Sequence, residues 1–151
     1  MIRTRTLILF TTLALNSEAQ LIARVEMKEN IDGICNQNEV YSLYGGFDGQ
    51  IEPKCSLSKQ NMEDILNERL LFLKENPKFK SKGMVGVYIN CEGRVLQWDV
   101  SVKTKSAELD KQILEIFQTF NDWTVGKLNG KGVDTRDLFS YEIKKGVLKI
   151  N

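Results

Sequence analysis

The chain has 151 residues, a length typical of one domain, and its hydrophobic fraction of 42% is high enough to exclude a wholly disordered protein. It carries 21 basic and 20 acidic residues, so the basic surface that a nucleic-acid partner requires is not expected. The absence of histidine removes the commonest general base and metal ligand from any catalytic or metal site.

Residues 1–19 have the pattern of a secretory signal peptide. Two arginines precede an apolar run over residues 7–15, and small residues follow, which predicts cleavage before Gln20. The run is shorter than the roughly 20 apolar residues that span a bilayer, so we favour a cleaved signal over an uncleaved anchor. The first cysteine, Cys35, lies too far from the cleavage point for a lipoprotein. We therefore expect a periplasmic or secreted protein with no integral membrane span.

Residues 20–56 are predicted to form an irregular N-terminal extension. The sequence LIARVEM at residues 21–27 allows a short strand, and YGGFDG at residues 44–49 is a loop by composition. No helix opens directly behind this glycine-rich loop and no lysine follows at the required spacing, so we do not favour phosphate binding. The pattern leaves open whether the extension wraps the core or hangs from it.

Residues 57–151 begin with a predicted helix. From Ser58 onward, apolar residues recur at helical spacing with charged residues on the opposite side, and Pro77 marks the end of the pattern. The apolar positions are Met62, Ile65, Leu66, Leu70 and Leu73. The apolar surface is wide enough that part of it is available to pack against residues 20–56.

A β-hairpin follows the helix. Its two strands alternate between a core face and a second face, which is the period of two expected of strands. The predicted core faces are Val85, Val87, Ile89 and Cys91 in the first strand and Leu96, Trp98, Val100 and Val102 in the second. Gly93 supplies the positive φ angle that a tight hairpin turn needs.

A second helix and a last strand complete the pattern. Ser106 is a suitable N-cap, and one apolar stripe follows it, which we interpret as core rather than as the wall of a cofactor pocket. The stripe consists of Leu109, Ile113, Ile116, Phe117 and Phe120. The sequence therefore predicts an α+β fold, helix-strand-strand-helix-strand, with a small antiparallel sheet of about three strands packed by two helices. No cofactor is expected.

The ordered motifs of this region resemble one known family. GMVGVYINCEGRVLQWDVSV, followed by AELDKQILEIFQTFNDWTVGKLNGKGVDTRDLFSYEI, is similar to the C-terminal domain of the energy-transducing protein TonB in the versions found among Bacteroidetes. The matching positions include the Leu-Asp pair at residues 109–110, the Trp-x-x-Gly segment at residues 123–126 and Asn-Gly-Lys at residues 129–131. Val125 and Gly132 stand where the family commonly has proline. The proline-rich spacer and membrane anchor of a working transducer are not recognisable.

The resemblance implies a periplasmic interaction module that binds a protein or peptide segment, such as part of an outer-membrane receptor, by strand addition. The alternative is a small exported enzyme of unknown reaction. We favour the module because the sequence shows no nucleophile motif. The adjacent carboxylates Glu63 and Asp64, and the pair Asp134 and Asp137, are interpreted as solvated charges.

The last strand is the predicted partner-binding edge, because an open sheet of three strands must have two free edges. Phe139, Tyr141 and Ile143 lie on one face of this strand, and the tail at residues 147–150 is a candidate to occupy the edge itself.

The segment that precedes the last strand has two interpretations. Lys127 and Lys131, together with Trp123, are candidates for the partner surface. For Trp123 we favour a structural role as a lid on the end of the second helix, since aromatic rings bury a large area.

Three cysteines in an oxidising compartment allow three single pairings. The lengths of the first helix and first hairpin strand return Cys91 close to Cys55, so we predict a disulfide between Cys55 and Cys91 with Cys35 free or paired elsewhere. The rival pairing of Cys35 with Cys55 would close the glycine-rich loop. No metal site is expected, because these cysteines lack the usual zinc-ligand spacing.

Overall fold

The computed structural model describes residues 21–151, which form an α+β fold, and this confirms the predicted class. The signal peptide predicted for residues 1–19 lies outside the described residues. Within the described part, no helix has the length and apolar character needed to cross a membrane.

The helices are α1 (Lys59–Arg69), α2 (Leu71–Glu75) and α3 (Ala107–Phe117). The strands are β1 (Ala23–Arg24), β2 (Val40–Ser42), β3 (Gln50–Ile51), β4 (Lys54–Cys55), β5 (Ser81–Ile89), β6 (Val95–Val102), β7 (Trp123–Thr124), β8 (Lys127–Leu128), β9 (Lys131–Gly132), β10 (Asp134–Lys144) and β11 (Val147–Ile150).

The main sheet has the strand order β1-β2-β10-β5-β6, and β11 also pairs with β10. The predicted hairpin of β5 and β6 is present, and Gly93 in its turn has a φ angle of 87°. The last predicted strand, β10, runs antiparallel to β5 through a continuous register from Thr135 to Ile143. The sheet has six strands rather than about three, because the N-terminal extension contributes β1 and β2 and the tail contributes β11.

The first predicted helix is confirmed but is divided in two. The Ser58 hydroxyl accepts a hydrogen bond of 3.1 Å from the backbone N–H of Asn61, which satisfies one of the free donors at the start of α1. At Leu70 the backbone becomes extended, with φ −73° and ψ 90°, and α2 begins at the next residue. Leu70 is nevertheless fully buried, so the break keeps the apolar stripe directed at the core.

Helix α3 covers the same face of the sheet as α1. Ser106 caps it as predicted, since its hydroxyl accepts a hydrogen bond of 3.3 Å from the N–H of Leu109. All five residues of the predicted stripe are buried. They pack with Val85, Val87 and Ile89 of β5 in one core, which confirms that the stripe is structural.

The opposite face of the sheet is covered by the N-terminal extension. A smaller buried cluster there combines Ile31 and Val40 with Tyr88 of β5, and Leu96 packs against it. Leu96 was predicted on the helix face with Trp98. Between Tyr88 and Ile89 the register of β5 with β6 shifts, because β6 has one extra residue there. This irregularity places Leu96 on the other face of the sheet.

The tail at residues 147–150 occupies part of the edge of β10, as anticipated. Strand β11 is antiparallel to β10, and Leu148 and Ile150 are buried. Glu63 of α1 accepts 2.9 Å and 2.8 Å hydrogen bonds from the Ile150 N–H and the Lys149 amine. The interpretation of Glu63 as a solvated charge was therefore wrong, because its carboxylate holds the tail against α1.

The disulfide joins Cys35 to Cys91, with 6.1 Å between their Cα atoms, and Cys55 is a free thiol. The predicted pairing of Cys55 with Cys91 was wrong, as was its rival. The prediction treated residues 20–56 as irregular, whereas this segment brings Cys35 to the hairpin turn. Buried Asp134 holds the two cysteines close together, because its Oδ1 accepts hydrogen bonds of 3.0 Å from the backbone N–H groups of both Cys35 and Cys91.

Candidate functional site

The edge of β10 predicted to receive a partner is mostly covered by this chain. Strand β2 pairs with Asp134 and Thr135, and β11 pairs with residues 141–144. The side chains of Tyr141 and Ile143 are each only 1% exposed. These side chains belong to the core rather than to a partner surface, which corrects the prediction.

Phe139 is also engaged within the fold. Its ring centroid lies 6.1 Å from that of Trp98, 5.6 Å from that of Phe117 and 5.9 Å from that of Trp123. Phe139 therefore fills the space between the sheet and the end of α3, where it was predicted to face a partner.

Within the described chain, residues 136–140 of β10 have no strand paired with them on this side. The carbonyls of Arg136 and Ser140 accept hydrogen bonds from Ser42 and Asn151, so alternate residues of β10 direct their backbone groups to this side. Leu138 lies between them. Its N–H donates to Asp137 Oδ1 at 2.8 Å, and its C=O makes no hydrogen bond with residues 21–151.

A pocket of about 320 Å³ opens beside Leu138, between β10, β4, the start of α1 and the tail. Met62, Trp123, Phe139 and Ile150 supply apolar walls. Asp137 is the carboxylate of the pocket. Its pKa is raised to about 6, mainly by burial and to a smaller extent by the charge of Glu52, although the hydrogen bond from the Leu138 N–H lowers it.

Trp123 has the structural role that we favoured and also forms a wall of this pocket. Its indole N–H donates a hydrogen bond of 2.8 Å to the carbonyl of Phe120, just beyond α3, and its ring contacts Trp98. The free thiol of Cys55 lies in the same pocket, and its pKa is raised, mainly by burial.

The opposite edge of the sheet, formed by β6, is open. Strand β6 is eight residues long and pairs with β5, and no other backbone group within residues 21–151 hydrogen-bonds to it. In an antiparallel pair, successive residues direct their backbone groups alternately toward the partner strand and away from it. The registers of β10 with β5 and of β5 with β6 show that the backbone N–H and C=O groups of Trp98 and Val100 point to the free side. At the end of the strand Ser101 and Val102 are exposed.

On the face of the sheet opposite the helices, an ion pair between Arg136 and Asp99 connects β10 to β6. Arg136 of β10 reaches across β5 and donates to both carboxylate oxygens of Asp99, at 3.0 and 2.9 Å. The same guanidinium donates to the Ser101 hydroxyl at 2.9 Å and lies over the ring of Tyr88. These contacts hold β6 flat against β5 while its outer edge stays free.

Lys127 and Lys131, the other predicted partner residues, lie in a separate small sheet. Lys127 is in β8 and Lys131 is in β9, and β8 pairs with both β3 and β9. Neither lysine lines the pocket beside Leu138. Lys131 instead lies beside the disulfide, near Asp134.

The carboxylates Asp134 and Asp137 do not form a pair. Asp134 is 2% exposed and binds three backbone N–H groups, including that of Asn36 at 2.8 Å, so it is a structural group rather than the solvated charge expected. Its carboxylate lies within 4.8 Å of the sulfurs of Cys35 and Cys91, but these sulfurs are bonded to each other.

The sequence analysis missed Asp137 as a site residue, although a signal was present. Asp137 continues the alternation of Phe139, Tyr141 and Ile143, which places a carboxylate on the core face of a strand. A carboxylate in such a position is rarely buried without a partner.

Comparison with known protein families, with curated proteins and with solved structures finds no match to this chain.

Proposed function

We propose that this protein is an exported interaction module that binds an extended segment of a partner protein by strand addition along the outer edge of β6. The observation that carries the proposal is that β6, eight residues long, is hydrogen-bonded along one side within the described chain. An edge of this kind offers a row of backbone donors and acceptors to an incoming strand. The strand spans about 26 Å, enough for several backbone hydrogen bonds.

The proposal moves the predicted binding edge from the last strand to the other side of the sheet. In the resemblance to the TonB C-terminal domain, the partner is a segment of an outer-membrane receptor, and we retain that class of partner. The order α1, β5, β6, α3, β10 agrees with the order on which the resemblance rests. The disulfide between Cys35 and Cys91 supports an oxidising compartment such as the periplasm.

A proline substitution at Val100 tests the proposal. The N–H of Val100 points to the free side, so V100P removes a donor needed by an incoming strand without removing a ladder bond to β5. The matched control V100T keeps the N–H and the β-branched shape. Mature wild-type protein and both variants, each immobilised, are incubated with solubilised outer-membrane proteins, and the bound receptor is quantified.

We expect wild type and V100T to retain a receptor and V100P to lose at least 90% of it, since backbone pairing supplies the affinity in this binding mode. Equal retention by V100P and V100T would contradict binding at this edge. Circular dichroism of V100P shows whether the fold is preserved.

A further inference from the structure

We propose that the pocket beside Leu138 is a second binding site, which receives the lysine or arginine side chain of an extended peptide. The proposal is independent of the β6 edge, because the two sites lie on opposite sides of β5. It rests on the shape of the pocket, on the charge of Asp137 and on a backbone carbonyl at the mouth that has no hydrogen-bond partner among the described residues.

The walls of the pocket fit the stem of a long basic side chain. Met62 and Ile150 contribute aliphatic surface, and Trp123 and Phe139 contribute aromatic surface. Lysine and arginine bury their methylene groups against such surfaces while the charged end finds a polar group. The faces of aromatic rings also attract cations.

The pocket has an anionic group that forms no ion pair with any side chain of residues 21–151. Asp137 Oδ1 accepts the Leu138 N–H, whereas Oδ2 forms no hydrogen bond or ion pair within residues 21–151. Lys54 and Lys59 line the same pocket, but both side chains are exposed and neither lowers the pKa of Asp137. A carboxylate beside a cation normally has its pKa lowered. The raised value agrees with the geometry, in which no cation of residues 21–151 forms an ion pair with Asp137.

The backbone of Leu138, at the mouth of the pocket, would bind the backbone of the peptide. Within residues 21–151 the C=O of Leu138 accepts no hydrogen bond, and its N–H donates to a side chain rather than to a strand. A peptide residue that pairs with Leu138 would take over the N–H and release Asp137 Oδ1. Both carboxylate oxygens would then face the incoming cation, as a bidentate contact with arginine requires.

The probes are acetyl-Gly-Arg-Gly-amide and the same peptide with neutral citrulline in place of arginine. They are titrated into the oxidised full-length mature protein, and the Leu138 amide shift is followed by NMR. The alkylation rate of the Cys55 thiol, which lies in the pocket, gives an independent reading of occupancy. We expect the arginine peptide to shift Leu138, to slow alkylation and to bind roughly tenfold more tightly than the citrulline peptide, as a charge-assisted hydrogen bond implies.

Two variants separate the charge from other effects. D137N keeps an oxygen acceptor for the Leu138 N–H and should abolish the preference for arginine. The control D122N removes a carboxylate whose charge acts on Cys55 without lining the pocket, and it should keep the preference. Equal binding of the two peptides by wild type, or binding of neither, would overturn the proposal, as would a preference that persists in D137N. None of these results depends on the β6 edge.

Discussion

Replacing both Cys35 and Cys91 with serine should lower the free energy of unfolding by about 4 kcal/mol. The two residues are 56 positions apart in sequence. Closing a loop of that length removes about 14 cal/mol/K of chain entropy from the unfolded state, which is about 4 kcal/mol at 25 °C. For a protein of this size the loss corresponds to a decrease in melting temperature of roughly 8–16 °C.

The folded state should change little in this double variant. Asp134 binds the backbone N–H groups of Cys35 and Cys91, rather than their sulfurs, and these bonds survive the substitutions. Urea unfolding of oxidised wild type, the double variant and C55S measures the effect, and C55S controls for the loss of a thiol. A loss below 1 kcal/mol in the double variant, or an equal loss in C55S, would refute the reasoning. Peptide mapping without reductant that joined Cys55 to another cysteine would do the same.

Three further substitutions test the packing and charges. W123A should cost about 3 kcal/mol in chemical denaturation, the low end for tryptophan truncation because Trp123 is half-buried; an unchanged midpoint would contradict its role as a lid. E63Q should cost about 1–3 kcal/mol at pH 7 because it weakens the bonds to Ile150 and Lys149. Although burial raises the pKa of Glu63, the bonds from Lys149 and Ile150 hold it below its usual value. This stabilisation should therefore be lost as the pH falls through the lowered pKa of Glu63, and a difference constant with pH would contradict it. D137N should raise stability at pH 7 by at most about 3 kcal/mol and have little effect at pH 4, since a carboxyl with a raised pKa destabilises the fold increasingly as the pH rises from 4 to 6. Equal effects at both pH values would argue against a raised pKa of Asp137.

Local patterns predicted the main elements of residues 57–151, which are α1, β5, β6, α3 and β10, but not the short strands β7, β8 and β9. Ser58 and Ser106 cap the helices, and Gly93 turns the hairpin, at the positions that the sequence indicated. The α+β class followed from the order of these elements. The break at Leu70 gave no such signal, since the apolar stripe continues through it.

The contacts of the N-terminal extension were not predictable in the same way. Strand β2 has only three residues, too few for a countable alternation, and it is held by pairing with Asp134 and Thr135 more than 90 positions away. The correct disulfide and the covered edge of β10 both depend on that pairing. The pocket was missed for a related reason, because it combines Asp137 with residues from β4, α1 and the tail.

Amide hydrogen exchange at Trp98 and Val100 tests the central proposal most directly. Both N–H groups point away from β5, so they should exchange rapidly in the free protein and become protected when a receptor segment is bound. The N–H groups of Gln97 and Asp99, which point to β5, are the internal controls and should be protected in both states. Strand addition at β6 predicts protection of Trp98 and Val100 on binding. Unchanged exchange at both residues, with a partner demonstrably bound, would contradict it.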